Sequence, residues 1–104
     1  MTADPFEQAP RVVLIDADMR NPSLHKTFER SLGLGLSNLL TGNGNLFDFV
    51  QNSGTPNLSI LLAGQIPPNP AELLSADAIV RIVDEAAKRF DHHMVIDGND
   101  ERGG

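Results

Sequence analysis

The chain has 104 residues, 40% of them apolar, and a formal net charge of −6. A length of this order buries one modest core, and the acidic balance argues against non-specific nucleic-acid binding or an anionic membrane surface, both of which need Lys and Arg. Without cysteine there is neither a disulfide nor a thiolate metal site.

The opening MTADPFEQAP holds no basic cluster and no apolar stretch. It reads as a loose lead-in over residues 1 to 10 and not as a secretory signal. No segment approaches the roughly 20 apolar residues of a membrane helix, so direct membrane insertion is not expected and the cytoplasm is the expected compartment. Val12, Val13, Leu14 and Ile15 then form an unbroken, mostly β-branched run. Such a run suits a strand buried on both faces of a parallel sheet. It stops at Asp16. Ser23 stands as an N-cap for a short helix carrying Leu24 and Phe28.

From Gly33 to Gly44 the chain is turn-rich, with a helical patch around Ser37 to Leu40. Gly33-Leu34-Gly35 lacks the third glycine and the preceding strand of a dinucleotide loop. Residues 45 to 51 read as a helical turn or two, with Leu46, Phe49 and Val50 inward. A second strand is expected over Leu58 to Leu62, after the Thr55-Pro56-Asn57 turn. Asn69, Pro70 and Glu72 then form a helix start with a capping-box partner. Ser75 or Asp77 restarts a helix to about Phe90, with Ile79, Val83, Ala86 and Phe90 along one face. A last strand, Met94 to Ile96, runs into Asp97, and residues 98 to 104 form a tail with no apolar residue. The order is strand, helices, strand, helix, strand, which predicts an α/β fold with parallel strands and right-handed crossovers.

Ligands of open α/β sheets bind beyond the carboxyl ends of strands. Two of the three expected strands end in acid, at Asp16 and Asp97, and Asp18 follows two residues after the first. Carboxylates gathered on one edge suit a hard cation such as Mg²⁺, which takes oxygen ligands. Taken singly, either aspartate also reads as a simple turn starter. His92 and His93 are adjacent, so a strand points them to opposite faces, and no third ligand is evident. His25 reads as a helix-surface residue. Lys26, Arg30, Arg81, Lys88 and Arg89 read as a scattered, solvated set, and Phe28, Phe49 and Phe90 as core.

The segment VVLIDADMR, residues 12 to 20, resembles the second nucleotide motif of bacterial tyrosine kinases, three apolar residues followed by D-x-D-x-R. NPSLHKTF continues it in the family's manner, with Asn21 where arginine is common. GLSNLLTGN at 35 to 43 and LLAGQIPPNPAELL at 61 to 74 are similar to two further family segments, and MVID at 94 to 97 falls where the Walker B strand belongs. The resemblance spans residues 11 to 97, in the family order. It implies an incomplete three-layer P-loop NTPase-like fold with a mainly parallel sheet, and ATP-dependent phosphoryl transfer to protein tyrosine.

By the same resemblance Asp16 holds Mg²⁺, Asp18 accepts the tyrosine proton or assists the metal, Arg20 organises the nucleotide loop, and Asp97 stands on the metal's outer shell. The implied cofactors are Mg²⁺ and ATP, and the implied setting is capsule or exopolysaccharide assembly. The implied partner is a membrane-bound chain-length regulator or other kinase subunits, which would hold the chain at the inner face of the membrane.

There are also departures. The family's loop of the form GxxxxGK followed by Ser or Thr lies upstream of D-x-D-x-R, but only eleven residues precede that strand's start here and nothing in them resembles it. ATP binding by this chain is therefore expected to be weak or absent. There is no tyrosine, so the chain is not its own tyrosine substrate. Two other readings stay open: a non-catalytic remnant or docking module, and a ParA/MinD-like ATPase relative. An acidic strand left at the sheet edge, Val12 to Ile15 or Met94 to Ile96, is expected to promote self-association or low stability.

Overall fold

The computed structural model describes residues 10–42, 44–65 and 68–96. Most of the expected lead-in, the tail over 98 to 104, and Asp97 lie outside the described residues, as do Asn43, Ile66 and Pro67 within the family-like segments. The elements are β1 (Val12–Asp16), α1 (Leu24–Thr27), α2 (Leu36–Leu40), α3 (Leu46–Phe49), β2 (Gln51–Asn52), β3 (Leu58–Leu61), α4 (Pro70–Leu73), α5 (Ala76–Ala87) and β4 (His92–Ile96).

The sheet runs β2-β3-β1-β4. β1 is parallel to both neighbours, with Leu14 opposite Ile60 on one side and Met94 on the other. Parallel neighbours cannot be joined by a hairpin, so helical crossovers fill the gaps between them. β2 is antiparallel to β3, pairing Gln51 with Ile60 and Asn52 with Ser59. The sheet is therefore mixed, although mostly parallel. Gln51, the last residue of the helical stretch expected over 45 to 51, is in the strand instead; two polar residues carry no periodicity, and the pairing of Gln51 and Asn52 depends on β3.

Side chains on β1 alternate between two apolar layers. Val13 and Ile15 join Leu36, Leu39, Leu46, Leu61, Ile82 and Ala86 in the larger core. Leu14 packs on the opposite face with Leu24, Ile60, Leu62, Phe28 and Ile96. One helix, α1, thus covers one face, and α2, α3 and α5 cover the other. That is the three-layer α/β arrangement the strand order predicts.

The start of α5 matches expectation, since Ser75 Oγ accepts from Ala78 N at 3.2 Å. Its inward face is centred on Ile82 and Ala86, with Ile82 added to the expected stripe. The expectation that an acidic strand lies at the edge divides. β1 is interior, while β4 has β1 as its one strand neighbour among the described residues.

Candidate functional site

β1 delivers Asp16 to the carboxyl edge of the sheet, on the same face as Leu14 because side chains alternate along a strand. That face is covered by α1. Asp16 is 0% exposed, yet its carboxylate is well supplied with donors. Its Oδ1 accepts from Asp18 N at 3.1 Å, and its Oδ2 accepts from Ser23 N at 3.1 Å and Leu24 N at 3.0 Å. A buried carboxylate is tolerated when it is hydrogen-bonded in this way. Ser23 does occupy the N-cap position of α1, but its side chain makes no cap bond. Asp16, seven residues earlier in the chain, instead takes the N–H groups of Ser23 itself and of Leu24, the first helical residue.

Asp18 is half-buried, and its Oδ1 accepts from Asn21 N at 3.2 Å. Its Oδ2 has no hydrogen-bond partner among the described residues. Arg20 is exposed, at the bend that leads to Asn21. The loop is tied to β4 by Ala17 N, which donates to Ile96 O at 2.9 Å. Asp16 stands in register with Ile96, so the ends of the two acidic strands meet at one edge. Asp97 itself, the next residue, is outside the described residues.

Beside this loop, two family-like segments are joined backbone to backbone. Leu36 N donates to Leu62 O at 2.7 Å and Ser37 N to Ala63 O at 2.9 Å, while Gly35 N donates to Asn38 Oδ1 at 2.9 Å. A Cβ on Gly35 would stand 2.1 Å from Leu62 O. Gly64 has φ +82°, and a Cβ there would stand 2.6 Å from Ser37 Oγ. Only glycine fits at either position. The sequence reading missed this seam, though a glycine in each of the two segments was its signal.

Two of the cations read as solvated are engaged. Arg30 is half-buried and donates from Nη1 to Gln51 Oε1 at 2.6 Å and from Nη2 to Asn52 O at 2.8 Å. Arg89 lies over the Phe47 ring, 4.2 Å from its centroid. Glu85 of α5, outside the expected apolar stripe, accepts from Leu46 N at 3.1 Å and so supports the first turn of α3. In each case the partner lies far away in sequence, beyond the reach of a helical pattern. His25 is half-buried, with its Nδ1 buried and unpartnered among the described residues.

An open cavity of about 370 Å³ lies at the other end of the sheet, lined by Arg11, Asn52, Thr55, Leu58 and Phe90 among others. It is remote from Asp16 and Asp18. Among the described residues no three acidic or histidine side chains gather as a metal centre, and no helix is long and apolar enough to cross a membrane.

No protein-family model matches the chain. Among curated proteins it is 40% identical over 90 residues to the tyrosine-protein kinase YwqD of Bacillus subtilis, covering 86% of this chain and 37% of that protein. It is 36% identical over 88 residues to the tyrosine-protein kinase CpsD of Streptococcus agalactiae, covering 84% of this chain and 38% of that protein. The chain thus spans well under half the length of these relatives. Among solved structures, the kinase domain of the Escherichia coli tyrosine kinase ETK superposes with a TM-score of 0.76 at 34% identity, over 85% of this chain and 34% of that one. The BceF tyrosine kinase domain superposes at 0.72 with 37% identity, over 86% and 35%. The septum site-determining protein MinD of Pyrococcus horikoshii, solved with Mg-ADP, shares the fold at a TM-score of 0.68 and 16% identity, over 86% and 37%.

Proposed function

Because the chain is a homologue of the kinase domain of bacterial tyrosine kinases, with a MinD-like P-loop fold, we propose that its Asp16–Arg20 loop is the acidic half of a Mg-nucleotide site for phosphoryl transfer to protein tyrosine. One observation carries the reading. Asp18 stands at the carboxyl end of the central parallel strand with Oδ2 uncommitted among the described residues, beside the end of the second acidic strand. This is where α/β sheets bind ligands, and the donors are oxygens of the kind Mg²⁺ takes.

In that role Asp18 faces the cation or takes the tyrosine proton, Asp97 adds a second carboxylate, and Arg20 organises the loop. Mg²⁺ would supply charge neutralisation at the transferring phosphoryl group; the protein's part is to position acids and exclude misplaced water. The biological setting is capsule or exopolysaccharide assembly, on the cytoplasmic side of the membrane, with a membrane-bound chain-length regulator or further kinase subunits as partner. A docking role without catalysis is the second reading, and the exposed β4 edge favours it.

The test is transfer to a tyrosine peptide by the chain fused behind a family phosphate-binding loop. Wild type should phosphorylate the peptide, and Asp18→Asn or Asp97→Asn should each lower the rate by about 10² or more. A fusion that phosphorylates equally well without these carboxylates would remove the roles given to Asp18 and Asp97, and a wild-type fusion that transfers nothing would remove the kinase reading and leave the docking one.

A further inference from the structure

Asp16 and Asp18 stand two residues apart, and a D-x-D pattern alone treats them as equivalent ligands. Their surroundings differ. Asp16 is fully buried, and three backbone N–H groups occupy its two oxygens. Two of those donors, Ser23 N and Leu24 N, are at the start of α1 and need an acceptor that Ser23's own side chain does not provide. Mg²⁺ keeps several waters when it binds protein carboxylates. A carboxylate with no exposed surface leaves no space for such an ion unless the start of α1 is released. Asp18 is half-buried and gives one oxygen to Asn21 N, leaving the other uncommitted among the described residues.

We infer that Asp16 is a positioning residue: its carboxylate folds the 16–24 loop and holds α1 in place, and of this pair Asp18 alone meets the cation. The cation half of this inference rests on the nucleotide reading above; the positioning half does not. Asp16 acts on the cation through Asp18, because the Asp18 N–H bond to Asp16 Oδ1 sets where the Asp18 side chain leaves the backbone.

The experiment uses the whole chain and two NMR readouts, amide hydrogen exchange and line broadening by Mn²⁺ as a paramagnetic stand-in for Mg²⁺. In Asp16→Asn, exchange at Ser23 and Leu24 should quicken about tenfold or more, since a charged acceptor is lost. In Asp18→Asn those amides should exchange as in wild type, while Mn²⁺ broadening around residues 17–20 should disappear. In wild type, Mn²⁺ should leave protection at Ser23 and Leu24 unchanged. Loss of that protection on adding Mn²⁺ would mean that Asp16 swings to the metal, and the inference falls. If Asp16→Asn folds and exchanges like wild type at Ser23 and Leu24, its carboxylate is not their acceptor, and the positioning role falls. If Asp16→Asn does not fold, the wild-type Mn²⁺ comparison decides alone. If Mn²⁺ broadens nothing in wild type, the cation assignment of Asp18 falls together with the nucleotide reading, while the positioning role is still judged on the amides.

Discussion

The carboxyl edge of β1 and β3 and the outer side of β4 belong to one sheet, but they are finished differently. Around Asp16, Gly35 and Gly64 the backbone is packed against backbone, and the loop amides of Asp18, Ser23, Leu24, Leu36 and Ser37 all have named acceptors. Along β4, three of five residues are exposed, and Met94 is 58% exposed. Strand propensity does not separate them, because Met-Val-Ile is as suited to a strand as Val-Val-Leu-Ile. Neighbours do. The 16–24 loop and the Gly35–Gly64 seam find their partners within the described residues, whereas β4 has one ladder partner there. The opposite edge, β2, is short and polar and is held by Arg30, which limits pairing from outside.

This contrast can be broken at its tight side first. Gly35→Ala places a methyl against the Leu62 carbonyl, where backbone and not a flexible side chain must yield. We expect a loss of about 3 kcal/mol or more from overpacking, read as a fall of roughly 15 °C in the thermal midpoint. A melt within a few degrees of wild type would show that the seam is looser than its geometry.

A smaller effect is expected at the guarded edge. Arg30→Ala removes two hydrogen bonds from a half-buried guanidinium and should cost about 1 kcal/mol in a chemical denaturation curve. It should also make β2 easier to pair. No change in midpoint would mean that Arg30 merely rests on the strand.

The smallest effect on stability, and the sharpest on association, belongs to β4. Met94→Lys puts a charge on an already exposed strand residue and should shift monomer stability by no more than about 0.5 kcal/mol. Sedimentation of wild type should show concentration-dependent self-association, and the lysine variant should shift toward monomer. A wild-type monomer at every concentration would mean that the open side of β4 does not attract a second copy.

Much of this molecule was legible in the sequence because the relevant signals are local. An unbroken β-branched run marks a strand buried on both faces, and Val13, Leu14 and Ile15 do split between two cores. The cap at Ser75 and the apolar stripe of α5 depend on residues three and four apart, which one helix brings together unaided. Acid at the strand ends, Asp16 and Asp18 within D-x-D-x-R, carried the kinase resemblance and marked a candidate site before any geometry. Only the tertiary structure could decide which neighbour each polar group meets. Ser23 looked like its own helix cap, but Asp16 reaches it across the loop. Arg30 looked solvated, but β2 comes to it from twenty-one residues away. Gly35 read as one residue of a turn-rich stretch and Gly64 drew no separate reading, but each marks a place where the facing segment leaves no room for a Cβ. Local pattern specifies what an element is, whereas close approach and hydrogen-bond satisfaction are properties of two elements at once, and these exist only after the chain has folded.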